Sequence, residues 1–281
     1  MKTEFEDAIN RLRANLSRWR VPAQLVEELV DPRGAVKYPR GATIFHEGAL
    51  GDLFGCVLSG YAKVYCNQSD GSRVLVRVAG PGDLIGHWDY EDSNGRRSKI
   101  FEIQAHTSCS IALFTREHVI RLLRSIRPER LIELFQSLNT FWSAELHWWV
   151  SLSGLPFEQR LEVVLADLGR RMGIHNGDET VIVPELSQAD LAEMIASSRP
   201  LVSRLLAEMD RRGWVRRRGK QFVLLKNWHS DGRGYAHVPG AIGEELRSIT
   251  PGLRRRNRAA VIEEIPKAAE EVGVLRSIAR N

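Results

Sequence analysis

The chain has 281 residues and a mass of 31.8 kDa, a length that accommodates two domains, each with its own core. Its 43% hydrophobic and 27% charged residues, with a formal charge of only +5, are ordinary for a globular protein and exclude disordered, fibrous and disulfide-scaffold classes. No apolar run approaches the roughly 20 residues that cross a bilayer, and the charged opening segment has no signal-peptide core, so we expect a cytoplasmic protein without membrane contact.

Residues from about 41 to 114 are predicted to form short strands separated by glycine turns. The segments that fit this pattern are ATIF, LFGCVL, GYAKVYC, RVLVRVA, KIFEIQA and CSIALF. Short strands at spacings of about 8 to 12 residues predict a closed barrel or a sandwich. In RVLVRVA, two-residue alternation places Val74, Val76 and Val78 on one face, which we expect to be core, and points Arg77 away from it.

A long helix is predicted from Pro128 to about Ser153. Proline suits the first helical turn, and Gly154 marks the far end. Near-heptad spacing of apolar residues predicts burial against a partner helix, and these residues are Leu131, Phe135, Leu138, Trp142, Trp149 and Leu152. A helix of this length between two domains favours a homodimer interface, to which we assign the first five.

The segment SQADLAEMIASSRPLVSRLLAEMDRRGWV has the pattern of a helix-turn-helix. Ser187 and Asp190 are predicted to cap a first helix, and a turn at Ala196 and Ser197 follows it. A second helix then begins at residue 199 and ends near residue 211. The first turns of such a recognition helix enter the major groove, so we assign DNA contacts to Ser198, Arg199, Ser203 and Arg204.

Two strands and a basic tip are predicted after the second helix, in GWVRRRGKQFVLLK. The window 199–220 holds eight basic residues against two acidic ones, which is typical of a face that binds a polyanion. We assign phosphate contacts to Arg217, Arg218 and Lys220. A solvated basic surface and a helix-turn-helix used only for packing are the alternatives.

The barrel, long helix and helix-turn-helix with its wing together resemble the cyclic-AMP receptor / fumarate-nitrate regulator family of bacterial transcription factors. The resemblance covers about residues 30–228, and its motifs are GATIFHEG (41–48), GDLF (51–54), SG (59–60), GPGDLIG (80–86) and AHTSC (105–109). It implies an α+β protein with a jelly-roll barrel of the cyclic-nucleotide-binding type and a C-terminal winged helix. It also implies a dimer bound to a palindromic operator in double-stranded DNA, with RNA polymerase as a further partner.

Four segments follow from this organisation. We predict an effector-sensing barrel with an N-terminal helix at residues 1–127, a dimerisation helix at 128–153, a winged helix-turn-helix at 154–228 and an extension at 229–281. The extension lies beyond the usual end of the family and holds a basic cluster at residues 254–258. A peripheral helix or loose tail and an auxiliary DNA or protein contact are both open for it.

The effector region departs from the cyclic-nucleotide members of the family. They carry a Gly-Glu pair, whose carboxylate binds the ribose, and an Arg-Ser or Arg-Thr pair, whose arginine binds the cyclic phosphate. Here His87 follows the glycine, and Lys99 occupies the arginine position unless two extra residues bring Arg97 there. Cyclic nucleotide is therefore less expected than for the family at large. We assign the pocket to Gly86, His87, Trp88, Arg97, Ser98, Lys99, Trp142 and Trp149. The aromatic rings of its tryptophans favour a flat or apolar small molecule.

Other effector and function classes stay open at this point. Haem is an alternative because His87 lies in the loop that holds haem ligands in the family's carbon monoxide sensors, although Gly86 replaces their thiolate. An iron–sulfur cluster is not expected, since residues 1–55 contain no cysteine, and we expect the three thiols to be reduced. The competing class is a cupin-like metal enzyme, but the isolated histidines lack the spacing of a metal site. We therefore predict a regulator with no catalytic or metal-binding residues.

Overall fold

The computed structural model describes residues 2–17, 28, 30, 34–49, 51–86, 89–91 and 93–225. The predicted extension at 229–281, with its basic cluster, lies outside these residues. Helix α1 (Lys2–Ser17) opens the described chain, and its residues Ala8 and Leu12 are buried together with strand residues of the domain that follows. None of the described helices is long and apolar enough to cross a membrane.

The first domain is a barrel of antiparallel strands. Its strands are β1 (Ala35–Tyr38), β2 (Thr43–Phe45), β3 (Leu53–Ser59), β4 (Ala62–Asn67), β5 (Arg73–Ala79), β6 (Leu84–Ile85), β7 (Asp89–Glu91), β8 (Arg97–Lys99), β9 (Glu102–Ala105) and β10 (Cys109–Thr115). One sheet has the order β1-β10-β3-β6, a second has the order β2-β9-β4-β5, and β7 pairs with β8. Val57 and Ile111 from the first sheet and Val64 and Ile103 from the second share one core, which confirms the predicted jelly-roll.

The alternation predicted for β5 is partly wrong. Its pairing with β4 shifts between Val64 and Tyr65, which leaves an extra residue, Val76, in β5 as a bulge. Val76 is only partly buried against the barrel core, whereas Val78 pairs with Lys63 on the other side of the sheet. A bulge reverses the facing of the residues beyond it, so the three valines do not share one face.

The long helix is confirmed at both ends. Helix α2 (Arg116–Ser125) follows β10, and α3 (Pro128–Gly154) begins at the predicted proline. Leu155 has an extended backbone, as expected for a residue before proline, and it separates α3 from α4 (Phe157–Met172).

The second domain combines a small sheet with three helices. Strands β11 (Gly173–Asn176) and β12 (Glu179–Ile182) follow α4, and helices α5 (Gln188–Met194) and α6 (Arg199–Arg211) come next. Strands β13 (Val215–Arg218) and β14 (Gln221–Leu225) form the wing, and the sheet order is β11-β12-β14-β13. The short polar strand β11 has no alternation of apolar residues, and the sequence did not predict it.

The helix-turn-helix is built as predicted. Ser187 accepts a hydrogen bond from the Asp190 backbone N–H (3.1 Å), and the Asp190 carboxylate accepts one from the Ser187 N–H (2.8 Å). This capping box starts α5. Ala196 in the following turn has a φ of +50°, and Pro200 lies in the first turn of α6.

Candidate nucleic-acid interface and effector region

Helix α6 exposes the predicted reading face and buries the opposite one. Val202, Leu206 and Met209 are buried against the domain core, because they recur at helical spacing. The side chains assigned to DNA contacts are all exposed, namely Ser198, Arg199, Ser203 and Arg204. Within the described residues, the ion pairs of this helix lie near its C-terminal end, where Glu208 binds Arg211 and Arg212. The N-terminal turns therefore present two arginines to an incoming anion.

The wing is basic, but part of its charge is balanced within the domain. Glu179 on β12 accepts hydrogen bonds from Arg216 and from Arg218, the latter at 2.6 Å. The hydrogen bond from Arg218, with that from Arg216, lowers the pKa of the Glu179 carboxyl. The Arg217 guanidinium lies over the Phe222 ring at 5.4 Å, and Lys220 is 3.8 Å from the Glu185 carboxylate. All three residues assigned to phosphate contacts are exposed.

The structure brings together two residues of the predicted effector pocket, Gly86 and Lys99. The Lys99 ammonium donates to the Gly86 carbonyl at 2.5 Å, although this side chain is almost fully buried. It also lies over the rings of Phe45 (5.3 Å) and Phe54 (4.9 Å). Gly86 has a φ of +77°, and a Cβ there would lie 2.6 Å from the Phe45 ring, so only glycine fits.

Arg97 and Ser98 of the predicted pocket lie on β8 next to Lys99. The Arg97 side chain pairs with Glu91 across the β7–β8 hairpin, and Ser98 is opposite Tyr90 in the strand register. His87 and Trp88 lie outside the described residues, as does the Trp142 side chain. Trp149 is half-buried on α3.

Helix α3 carries an apolar stripe that remains partly exposed in the described part of the chain. Phe135 is 66% exposed and Leu131 is 36% exposed, so both predicted interface residues keep apolar surface open to solvent. The stripe also contains Ile132, Leu146 and Val150, which the near-heptad pattern did not select. Leu152, predicted for the same seam, is instead buried within the chain, because α3 packs on α4 near its end. The Leu138 side chain lies outside the described set.

The structure also shows functional candidates that the sequence did not reveal. Arg160 of α4 donates to the carbonyls of Ser153 (2.6 Å) and Leu155 (2.8 Å) at the end of the long helix. It donates as well to the Ile195 carbonyl at the end of α5 (3.3 Å). Lys63 of the barrel is paired with Asp190 of the helix-turn-helix. An arginine or lysine at these positions carries no local pattern, so no sequence signal marks either residue.

The cysteines are free thiols. Cys56 and Cys109 are buried, and burial raises the pKa of the Cys56 thiol to about 12. Among the described residues, no group of three or more His, Cys, Asp or Glu side chains is placed to hold a metal ion.

Comparisons with known proteins agree with this two-domain arrangement. Residues 35–125 match the cyclic nucleotide-binding domain, and residues 159–230 match the Crp-like helix-turn-helix domain. The chain is 28% identical to the CRP-like cAMP-activated global transcriptional regulator of Mycobacterium tuberculosis, over 67% of this chain and 83% of that protein. It is 23% identical to the transcriptional activator FnrL of Cereibacter sphaeroides, over 68% of this chain and 76% of that protein.

Solved structures show the same fold at lower identity. The c-di-GMP responsive global regulator CLP of Xanthomonas campestris superposes with a TM-score of 0.57 at 20% identity, covering 73% of this chain and 99% of that one. FixK2 of Bradyrhizobium japonicum superposes with a TM-score of 0.56 at 21% identity, covering 70% of this chain and 93% of that one.

Proposed function

Because the chain belongs to the CRP/FNR family of DNA-binding transcription regulators, we propose that it works as a homodimer on a palindromic operator. The exposed N-terminal face of α6 is the observation that carries this proposal, since it offers Arg199 and Arg204 on a rigid helix. The dimer acts in the cytoplasm, where its DNA is, and contacts RNA polymerase there.

Arg199 and Arg204 read base edges in the major groove. A guanidinium donates two hydrogen bonds to guanine in a fixed geometry, which distinguishes guanine from the other bases. Ser198 and Ser203, whose side chains are shorter, add hydroxyl contacts from the same face. Pro200 beside Arg199 has no side-chain acceptor for a cytosine amino group, so this position contributes no such contact.

The wing holds the DNA backbone. Arg217, Arg218 and Lys220 are exposed at its tip, and phosphate contacts from such residues add affinity without sequence preference. Phosphate oxygens compete with Glu179 for Arg218, because both are anionic acceptors of the same guanidinium.

A dimer accounts for the exposed apolar stripe of α3. Two recognition helices read a two-part operator only when a two-fold axis sets them about 34 Å apart. The stripe at Leu131 and Phe135 supplies an apolar surface for that partner. Effector control then acts through the barrel, which joins α3 by way of α2.

The effector is a flat or apolar molecule, and cyclic AMP binds weakly or not at all. Either Lys99 or Arg97 stands at the position of the phosphate-binding arginine. The Lys99 ammonium is held by the Gly86 carbonyl and the Phe45 and Phe54 rings, and Arg97 is paired with Glu91. Calorimetric titration with cyclic AMP, which activates the mycobacterial relative, tests this directly. We expect no saturable heat at micromolar nucleotide, and micromolar binding would overturn this part of the proposal. A Soret band that disappears in His87→Ala would replace it with a haem sensor.

The central experiment is selection of binding sites from random duplex DNA by the purified chain, with and without cell extract. We expect an enriched two-part palindrome whose half-sites are about one helical turn apart. Enrichment of a single half-site, or of no motif, would overturn the proposed mode of binding.

A further inference from the structure

One outer face of the barrel is buried, although strand alternation directs it towards solvent. Ala62 and Val64 of β4 face the barrel core, so Lys63 and Tyr65 point to the opposite side. Lys63 is nevertheless only 8% exposed and Tyr65 only 1% exposed. Their partners across the sheet, Val78 and Leu75, are fully buried. Helix α5 packs on β5, so the helix-turn-helix covers this face.

An ion pair lies within this covered face. The Lys63 ammonium is 2.5 Å from Oδ1 of Asp190, and about a tenth of each side chain remains accessible. The other carboxylate oxygen accepts the Ser187 N–H and closes the capping box. Burial opposes ionisation of Asp190, but the hydrogen bonds from Lys63 and Ser187 outweigh it and hold its pKa below the usual range. One carboxylate therefore starts α5 and ties it to the barrel.

Further contacts fix the same helix on either side of this pair. Arg73 of β5 bonds Glu193, one turn further along α5, at 3.3 Å. Before the helix, Nε2 of His106 donates to the Glu185 carbonyl at 3.0 Å, because a carbonyl only accepts. Three points spaced along one segment define both the position and the rotation of α5 against the barrel.

We propose that Lys63 is a positioning residue for DNA recognition: its bond to Asp190 sets the direction in which α6 presents Arg199 and Arg204. This inference rests on the proposed function. Helices α5 and α6 pack together, so a rotation of α5 carries α6 with it. The reading face of α6 stays exposed while the pair is formed, so the bonded arrangement leaves the DNA contacts open. A buried ion pair is suited to specifying one arrangement, because a rotation of α5 that keeps the face covered leaves two unpaired charges in a poorly solvated site.

The test is the dependence of DNA binding on half-site spacing. The full chain and Lys63→Met are compared on the selected palindrome, on versions with the spacing changed one base pair at a time, and on a single half-site. We expect the wild type to prefer one spacing strongly. Lys63→Met should lose roughly tenfold at that spacing, bind the other spacings almost equally, and keep its affinity for the single half-site.

Control variants separate positioning from loss of folding. Lys37→Met removes an exposed lysine from β1 of the same barrel and should keep the wild-type profile. Lys63→Arg keeps the charge and should restore the spacing preference. Asp190→Asn keeps an oxygen for the capping box, and combining it with Lys63→Met should add little further loss, because both changes remove one interaction.

A Lys63→Met profile identical to wild type would overturn the assignment. So would an equal loss at every spacing and on the half-site, since that is the result of lowered stability alone. A wild-type chain that binds no two-part site would overturn the proposed function and this inference with it. If the wild type and Lys63→Met both bind a two-part site with the same spacing preference, only the inference is overturned.

Discussion

Replacing an arginine by alanine should affect DNA binding differently in α6 and in the wing. Arg204 is exposed on α6, and in the proposed complex a bidentate contact from it to guanine is worth about 1 to 3 kcal/mol of discrimination. Arg204→Ala should therefore relax the preference at particular operator positions in a binding-site selection, and Arg199→Ala should do the same at others. Arg217→Ala should leave the motif intact, weaken all sequences alike and reduce the salt slope by about one. An unchanged motif for Arg204→Ala would contradict the assignment of base contacts.

Protonation of His106 should destabilise the covered face of the barrel in mild acid. Burial lowers the pKa of His106, Lys63 and Arg40 act in the same direction, and Asp190 and the hydrogen bond to the Glu185 carbonyl oppose them without reversing the shift. The unfolded chain thus binds the proton more readily than the folded one. The resulting stability is present above the ordinary histidine pKa of about 6.5 and is lost as the pH falls through the lower folded value.

Urea unfolding between pH 7.5 and 5, followed by tryptophan fluorescence, measures this effect. The wild-type midpoint should fall with acidification more steeply than that of His106→Gln, which keeps a donor for the Glu185 carbonyl but does not titrate. His175→Gln, which changes an exposed histidine, should retain the wild-type slope. Equal slopes for wild type and His106→Gln would contradict the role of this imidazole.

Among the secondary-structure elements, those governed by local signals could be predicted from the sequence. The Ser187–Asp190 capping box and the proline at the start of α3 act within one helical turn, so a few consecutive residues are enough to predict their effect. The bulge in β5 depends on its partner strand, and the burial of Lys63 depends on a helix 127 residues away along the chain. No local pattern encodes these long-range relations. Helical periodicity predicted the exposed face of α6, whereas no local pattern predicted the attachment of α5 to the barrel.

Arg160 links three elements with one side chain. Its guanidinium bonds carbonyls at the end of α3 and the end of α5, so α4 is held between them. Arg160 therefore connects the end of the long helix to the helix-turn-helix by side-chain hydrogen bonds, in addition to the connection through the chain. Together with Lys63, this arginine holds α5 from two sides, from the barrel and from the long helix.

At the scale of the whole molecule, the described chain exposes two surfaces of different chemical character. The basic N-terminal face of α6 fits a polyanion, and the apolar stripe of α3 fits a second apolar surface. A monomer would present the stripe to water and would offer one recognition helix to the DNA. A two-fold dimer would cover the apolar stripe and would read two half-sites instead of one, so both surfaces favour the same assembly.

The proposed dimer should dissociate when a charge enters the α3 stripe. Phe135 is two-thirds exposed in one chain, so Phe135→Glu leaves the fold of that chain intact but places a carboxylate where the partner helix would bury it. Sedimentation equilibrium should then give a monomer, and binding to the two-part operator should fall to the level of a single half-site. Ser137→Glu introduces the same charge about 200° further around the helix, away from the stripe, and should remain a dimer with wild-type binding. A Phe135→Glu protein that sediments as a dimer would show that another surface joins the two chains.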